Sequence, residues 1–188
     1  MVDNARDLFL DQGFAATSTR QIAAAAGVTE RTLFNIVANK GELLRQVMLA
    51  HVFGGDDGPL TERADFAEIL DCDSAGEFLH RFAGWVAALH QRSARLAEMV
   101  RAAASVDAGA ARLWDWGVGQ QSADCRRIIR VFREHGWLRA GITAPEAADS
   151  LAVLSGHETY WRLVTERHWR LPRYRRWLER HCSSELVG

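Results

Sequence analysis

Residues 13–44 read GFAATSTRQIAAAAGVTERTLFNIVANKGELL. The stretch holds two short helices around a glycine. Ser18 stands before a small apolar face of Ile22, Ala23 and Ala26, and Gln21 follows it by three, the spacing of a reciprocal capping box. The alanines let a neighbouring helix come close. Gly27 supplies the positive φ that stops this helix. Thr29 caps the next one, which is expected to run to about Val37, and Glu30 suits its positive end. Leu33 and Val37, four apart, face inward. Asn39 and Glu42 repeat the capping-box spacing ahead of a fourth helix through Leu43, Leu44, Val47 and Met48. Upstream, residues 3–12 read as a first helix with Leu8 and Phe9 inward, ended by Gly13, after which Phe14 re-enters the core.

Beyond this segment the pattern breaks near residue 53, at Gly54, Gly55, Asp56, Asp57, Gly58 and Pro59. An acidic, poorly periodic stretch follows to Ser74 and reads as a loop with one short helix. Helical periodicity then returns, with expected spans 75–90, 93–107, 109–135, 145–165 and 172–186. Pro145 and Pro172 sit where a first helical turn accepts proline, and Gly136 and Gly141 bracket a break around Trp137 and Leu138. No strand-like alternation is sustained. The expected architecture is all-α: a three-helix helix-turn-helix domain over 1–50, then a helical domain for effector binding and dimerisation over 51–188.

The composition of the 188 residues fits a soluble globular chain, 48% hydrophobic and 25% charged. A formal net charge of −1 excludes a strongly basic nucleic-acid binder but leaves room for a local footprint. Cys72, Cys125 and Cys182 form neither a disulfide framework nor a zinc signature. With no signal core and no apolar run long enough to span a bilayer, a cytoplasmic protein without a membrane partner is expected. Glu77 with His80, and His157 with Glu158, lack a third ligand for a metal. GVGQQ at Gly117–Gln121 lacks the spacing of a nucleotide fingerprint, and no nucleophile motif is found. Neither an enzyme nor a cofactor is expected.

Two helices joined through Ala26–Gly27–Val28 have the form of a helix-turn-helix, whose second helix enters the major groove. Residues 5–48 further resemble the DNA-binding domain of the TetR/AcrR repressor family, through Gly13 and Phe14, Thr17 and Ser18, Ile22 and Ala23, and Gly27, Val28, Thr32, Leu33, Lys40 and Leu43. Residues 127–178, including GHETYWRLVTERHW and the following PRYRRWLE, resemble the dimerising end of many members. The chain departs from the family where Phe34 replaces a usual tyrosine, where Ile36 and Val37 replace a histidine or tyrosine and a phenylalanine, and where Arg31 replaces a common glycine. Residues 1–50 balance five basic groups (Arg6, Arg20, Arg31, Lys40, Arg45) against five acidic ones, so modest non-specific affinity is expected.

On the base-reading face Arg31 suits guanine and Asn35 adenine, with Thr32 between them. Thr17, Ser18 and Arg20 stand at the start of the second helix, where amides receive phosphate. Thr29 is mainly a cap, and Phe34 packs on the body or lies near the sugar-phosphate edge. The resemblance implies that Lys40 binds phosphate. It also implies an internal cavity for an apolar or aromatic effector, for which Phe82, Trp85, Met99, Trp114, Trp116, Gln121, Cys125 and Trp161 are the candidate lining; each aromatic has the competing role of an ordinary core residue. Leu151, Leu154, Tyr160, Val164, Trp177 and Leu178 are the candidate dimer seam, rimmed by the arginines of 162–180. The expected function is a homodimeric, effector-released repressor of a palindromic operator in double-stranded DNA. The alternative is an all-helical small-molecule-binding protein whose DNA binding is weakened or lost.

Overall fold

Capping and glycine chemistry place the first four helices close to their expected positions. The computed structural model describes residues 1–52, 55 and 58–188, the side chain of Thr61 aside; Gly54, Asp56 and Asp57 of the expected break lie outside them. The helices are α1 (Val2–Gln12), α2 (Thr19–Ala25), α3 (Glu30–Ile36) and α4 (Lys40–Val52). Ser18 and Gln21 make the reciprocal capping box at the start of α2, and the Thr29 hydroxyl accepts from the Thr32 amide at the start of α3. Gly27, at φ 69°, closes the turn between them, with the Val28 amide donating to the Ala23 carbonyl at 2.9 Å. At α4 only half of the expected box forms. Asn39 Oδ1 accepts from the Glu42 amide at 2.9 Å, but the Glu42 carboxylate turns to Arg45, at 2.8 and 2.9 Å. That guanidinium holds the Glu42 carboxyl below its ordinary pKa. A charge-assisted pair wins over a hydrogen bond to a neutral amide.

The described chain gathers into two compact units, neither continuous in sequence, whereas the sequence suggests a linear division after residue 50. The first comprises residues 1–57 and 92–117. In it α1 lies against α4 and α2, and α2 against α3. Phe9, Ile22, Leu33, Leu43, Leu44 and Val47 are fully buried, and Phe9 meets Phe14 with centroids 5.4 Å apart. Asn4 Nδ2 donates to the Ala25 carbonyl at 2.8 Å, tying α1 to the end of α2. The unit also takes in the end of α6 (Ala75–Ala103) and the start of α7 (Ala108–Glu134). There α4 and α7 meet backbone to backbone: a Cβ on Gly41 would come within 3.0 Å of Gly109 Cα.

The second unit comprises residues 58–91 and 118–188. A 3-10 turn (Leu60–Glu62) and α5 (Ala64–Leu70) occupy the acidic stretch. The two helices expected over 75–107 are one, α6, because Gln91 and Arg92 are good helix formers and no breaker separates the halves. The span expected over 145–165 is interrupted instead. Gly156 takes φ −71° and ψ 159°, ending α8 (Ala144–Ser155) before the single turn α9 (His157–Tyr160). A π-helical stretch, Trp161–Glu166, follows, then His168 at φ 55° and α10 (Leu171–Leu186). Gly136 and Gly141 frame the expected break with positive φ, and Leu138 bridges Val187 in antiparallel fashion. The Phe66 ring meets Phe82 at 6.3 Å and Trp85 at 5.3 Å, and Phe132 meets Phe78 at 5.0 Å, all edge-on, the arrangement that ring quadrupoles favour. Among the described residues no helix is long and apolar enough to cross a membrane.

Candidate nucleic-acid interface

Seven residues make α3, and Leu33 is the one among them that is fully buried. Leu33, with Val37 just past the helix end, turns one side of α3 to the core. The rest therefore faces outward: Arg31, Thr32, Phe34, Asn35 and Ile36 are exposed. Arg31 and Asn35, four apart on the side away from Leu33, have no hydrogen-bond or ion-pair partner among the described residues. An unpaired guanidinium offers donors to the O6 and N7 of guanine, and the free carboxamide beside it offers a donor to adenine N7 and an acceptor to the adenine N6 amino group. Glu30, the one acidic group on the helix, accepts from the Thr19 hydroxyl at 2.7 Å, which joins α3 to α2. The Thr29 and Thr32 hydroxyls meet at 2.9 Å.

The expected phosphate contacts divide. Arg20 is exposed and without a partner among the described residues, so its guanidinium is available. Ser18 is exposed, but its amide and hydroxyl both donate to Gln21 Oε1 at 2.8 Å. Thr17 is 1% exposed and gives its hydroxyl hydrogen to the backbone, at 2.8 Å from the Gly13 carbonyl and 3.2 Å from that of Leu8. Lys40 is half-buried. Its Nζ donates to the Phe14 and Thr17 carbonyls at 2.8 and 3.0 Å and lies 4.2 Å from the Phe14 ring centroid. In this geometry Thr17 and Lys40 fasten the 13–17 turn to α4. The Phe14 carbonyl also accepts from the Thr17 amide at 3.3 Å, and the half-buried ammonium adds a donor to both carbonyls of the turn.

Residues 1–47 match the model of the family described as bacterial regulatory proteins, tetR family. The match lies in the N-terminal helices, and it covers α1 to α3 and most of α4. Solved structures share its fold. NalD of Pseudomonas aeruginosa, the secondary repressor of the MexAB-OprM multidrug efflux pump, is 22% identical, with 99% of this chain and 94% of that one covered and a TM-score of 0.71. The SmeT–triclosan complex is 18% identical over 100% of this chain and 90% of that one, with a TM-score of 0.75. A transcriptional regulator of Saccharomonospora viridis bound to choline is 18% identical over 100% and 95%, with a TM-score of 0.70. No curated protein sequence matches significantly.

The expected effector residues fall in both compact units. Met99, Trp114 and Trp116 belong to the first, and Phe82, Trp85, Gln121, Cys125 and Trp161 to the second. Phe82 is buried and stacks on Phe78 at 5.7 Å. Trp85 donates its indole N–H to Asp65 at 3.2 Å. Gln121 gives its amide to the Ala152 carbonyl at 3.1 Å, and Trp161 meets His157 at 5.8 Å. The second unit also buries polar groups. His90 Nε2 lies 2.9 Å from the Ser155 carbonyl, and its ring is 5.2 Å from Tyr160. Tyr160 stands edge-on to Tyr174 at 5.2 Å. Tyr174 is fully buried, and its hydroxyl has no partner among the described residues. Tyr174→Phe is therefore expected to stabilise the protein by about 1 kcal/mol in urea unfolding, because it removes a polar group that folding strips of water. A loss of similar size would mean that the hydroxyl is bonded.

Burial pushes the Cys125 and Cys182 thiols up to about 12. Thiolate is the species that reacts. Iodoacetamide at pH 8 is expected to spare both in the folded protein and to modify both in urea; rapid native labelling of either, read by peptide mass, would contradict this.

The residues of the expected dimer seam differ in burial. Leu151 and Leu178 are fully buried within one protomer and Tyr160 nearly so, because the inner sides of α8, α9 and α10 need them as core. Leu154, Val164 and Trp177 are half-buried. Val153, 70% exposed on α8, went unnoticed in the sequence; it lies between two inward positions, and only the observed helix phase separates it from them.

Proposed function

We propose that the chain is a homodimeric, effector-responsive repressor of a palindromic operator in double-stranded DNA, with residues 1–50 reading the operator and 51–188 pairing the protomers and taking the effector. The observation that carries the reading is the outer side of α3, where Arg31 and Asn35 stand exposed and unpaired on a helix anchored from behind by Leu33. The two groups stand one turn apart and so present their polar ends to one side of α3. The outer sides of α8 and α10, with Val153, Leu154 and Trp177, are the surface proposed to pair protomers. Symmetric pairing sets two copies of α3 about 34–36 Å apart, one DNA turn. The abundance of tryptophan, seven residues all beyond position 84, supports an apolar or aromatic effector, in keeping with triclosan in the SmeT complex. Release needs tighter effector binding to the state whose spacing no longer fits the operator.

The test is sedimentation of the purified protein combined with selection of duplexes from a random pool at low salt. A dimer that enriches a palindrome supports the reading. A second reading, a helical small-molecule-binding protein without DNA binding, draws on the internal engagement of Thr17 and Lys40. A dimer that enriches no duplex but binds hydrophobic ligands would favour it.

A further inference from the structure

We propose that Phe34 reads thymine methyl groups, so that the operator half-site carries a thymine beside the base pair met by Arg31. The inference rests on the reading of α3 as the operator-reading helix. Phe34 is 47% exposed, and among the described residues no ring or cation lies against it. Its neighbour Ile36 is 57% exposed, so two of the large apolar side chains left on the surface stand on one helix of seven residues. Two apart, the side chains stand on opposite flanks of α3, so the ring of Phe34 acts by itself, as an apolar group exposed on a binding element.

The chemistry of the phenyl ring selects the contact. It has no donor, so a phosphate oxygen gains nothing from it. Base edges in the major groove are polar except at one feature, the C5 methyl of thymine, against which an apolar side chain excludes water. Geometry places the ring where that methyl can be reached. Arg31 and Phe34 are three apart and so are neighbours on the helix surface. Arg31 is exposed and unpaired, so the ring of Phe34 stands beside the polar reading face. The nearby carboxylate of Glu30 is held by Thr19 at 2.7 Å.

Replacing thymine by uracil in a duplex removes the methyl group and nothing else. Duplexes enriched from a random pool are to be re-measured with uracil at each thymine in turn, using the full-length protein and its Phe34→Ala and Phe34→Leu variants. For the unaltered protein, uracil at one or two positions of each half-site should weaken binding about fourfold per methyl, the effect of losing one buried methyl-sized group. Phe34→Ala should be indifferent to uracil at those positions, and Phe34→Leu should keep part of the penalty. Because Phe34 is half out of the protein, both variants should melt with the unaltered chain, which circular dichroism checks. Indifference of the unaltered protein to uracil everywhere, or an undiminished penalty in Phe34→Ala, overturns the inference while leaving operator binding intact. Failure to select any duplex overturns the inference together with the reading beneath it.

Discussion

Leu33→Ala is expected to destabilise the N-terminal helices by about 2–5 kcal/mol, the cost of deleting a buried leucine and leaving a cavity. The side chain is fully buried, and the rest of α3 offers the core little else. A seven-residue helix has almost no stability of its own in water. Its position depends on Leu33, on Val37 just beyond its end, on the Thr29 cap and on the Glu30–Thr19 hydrogen bond. The caps contribute about 1 kcal/mol each, so they cannot hold the helix once the leucine contact is lost. Because a chain with two compact units need not unfold in one step, the measurement is amide hydrogen exchange over residues 19–44, compared with 144–155 and 171–186. Protection should collapse in the first segment and persist in the other two. A loss below about 1 kcal/mol in the first segment would show that α3 docks by some other contact than the buried leucine.

The N-terminal helices were legible because each of their boundaries is written locally. Ser18 with Gln21, Thr29 with Thr32 and Gly27 are short-range devices whose partners stand within three residues, so the sequence carries the whole interaction. The outward side of α3 was legible for the same reason: Leu33 and Val37 define its inner side by spacing alone. What escaped depends on distant partners. Lys40 looks like a free cation at a helix start, and only the fold brings its ammonium to carbonyls 26 and 23 positions away. Thr17 looks like a cap-proximal hydroxyl, but the turn after Gly13 buries it. In the larger unit the amphipathic pattern marks α8 and α10 as helices, yet the phase that separates buried Leu151 and Leu178 from exposed Val153 follows from how α8 and α10 meet. The break at Gly156 was missed because a lone glycine inside a helical pattern is tolerated more often than not. The backbone explains why it cannot be an ordinary residue here: a Cβ on it would stand 2.9 Å from the Ala152 carbonyl oxygen.

Arg31→Ala is expected to weaken binding to the selected operator by about 5- to 150-fold per half-site, the range for loss of a bidentate contact to a base. The effect should be confined to one position of the half-site. In a pool selected by the variant, one position of the half-site, a guanine if Arg31 reads as proposed, should give way to any base while the other selected positions persist. Stability should change little, because the side chain is exposed and its removal breaks no hydrogen bond or ion pair among the described residues. Arg31→Lys separates charge from geometry. A lysine keeps the positive charge but lacks the planar fork, so if the guanidinium reads a base edge, the lysine variant should lose most of the preference while keeping its salt dependence. Arg20→Ala supplies the contrast. Arg20 stands exposed at the start of α2, and a phosphate contact there should weaken all duplexes alike and reduce the slope of log affinity against log salt by about one. The two variants must therefore differ in kind as well as in size. If Arg31→Ala behaved like Arg20→Ala, lowering every duplex equally and flattening the salt slope, Arg31 would be a phosphate clamp, and the task of choosing the sequence would fall to Asn35 and its apolar neighbours on α3.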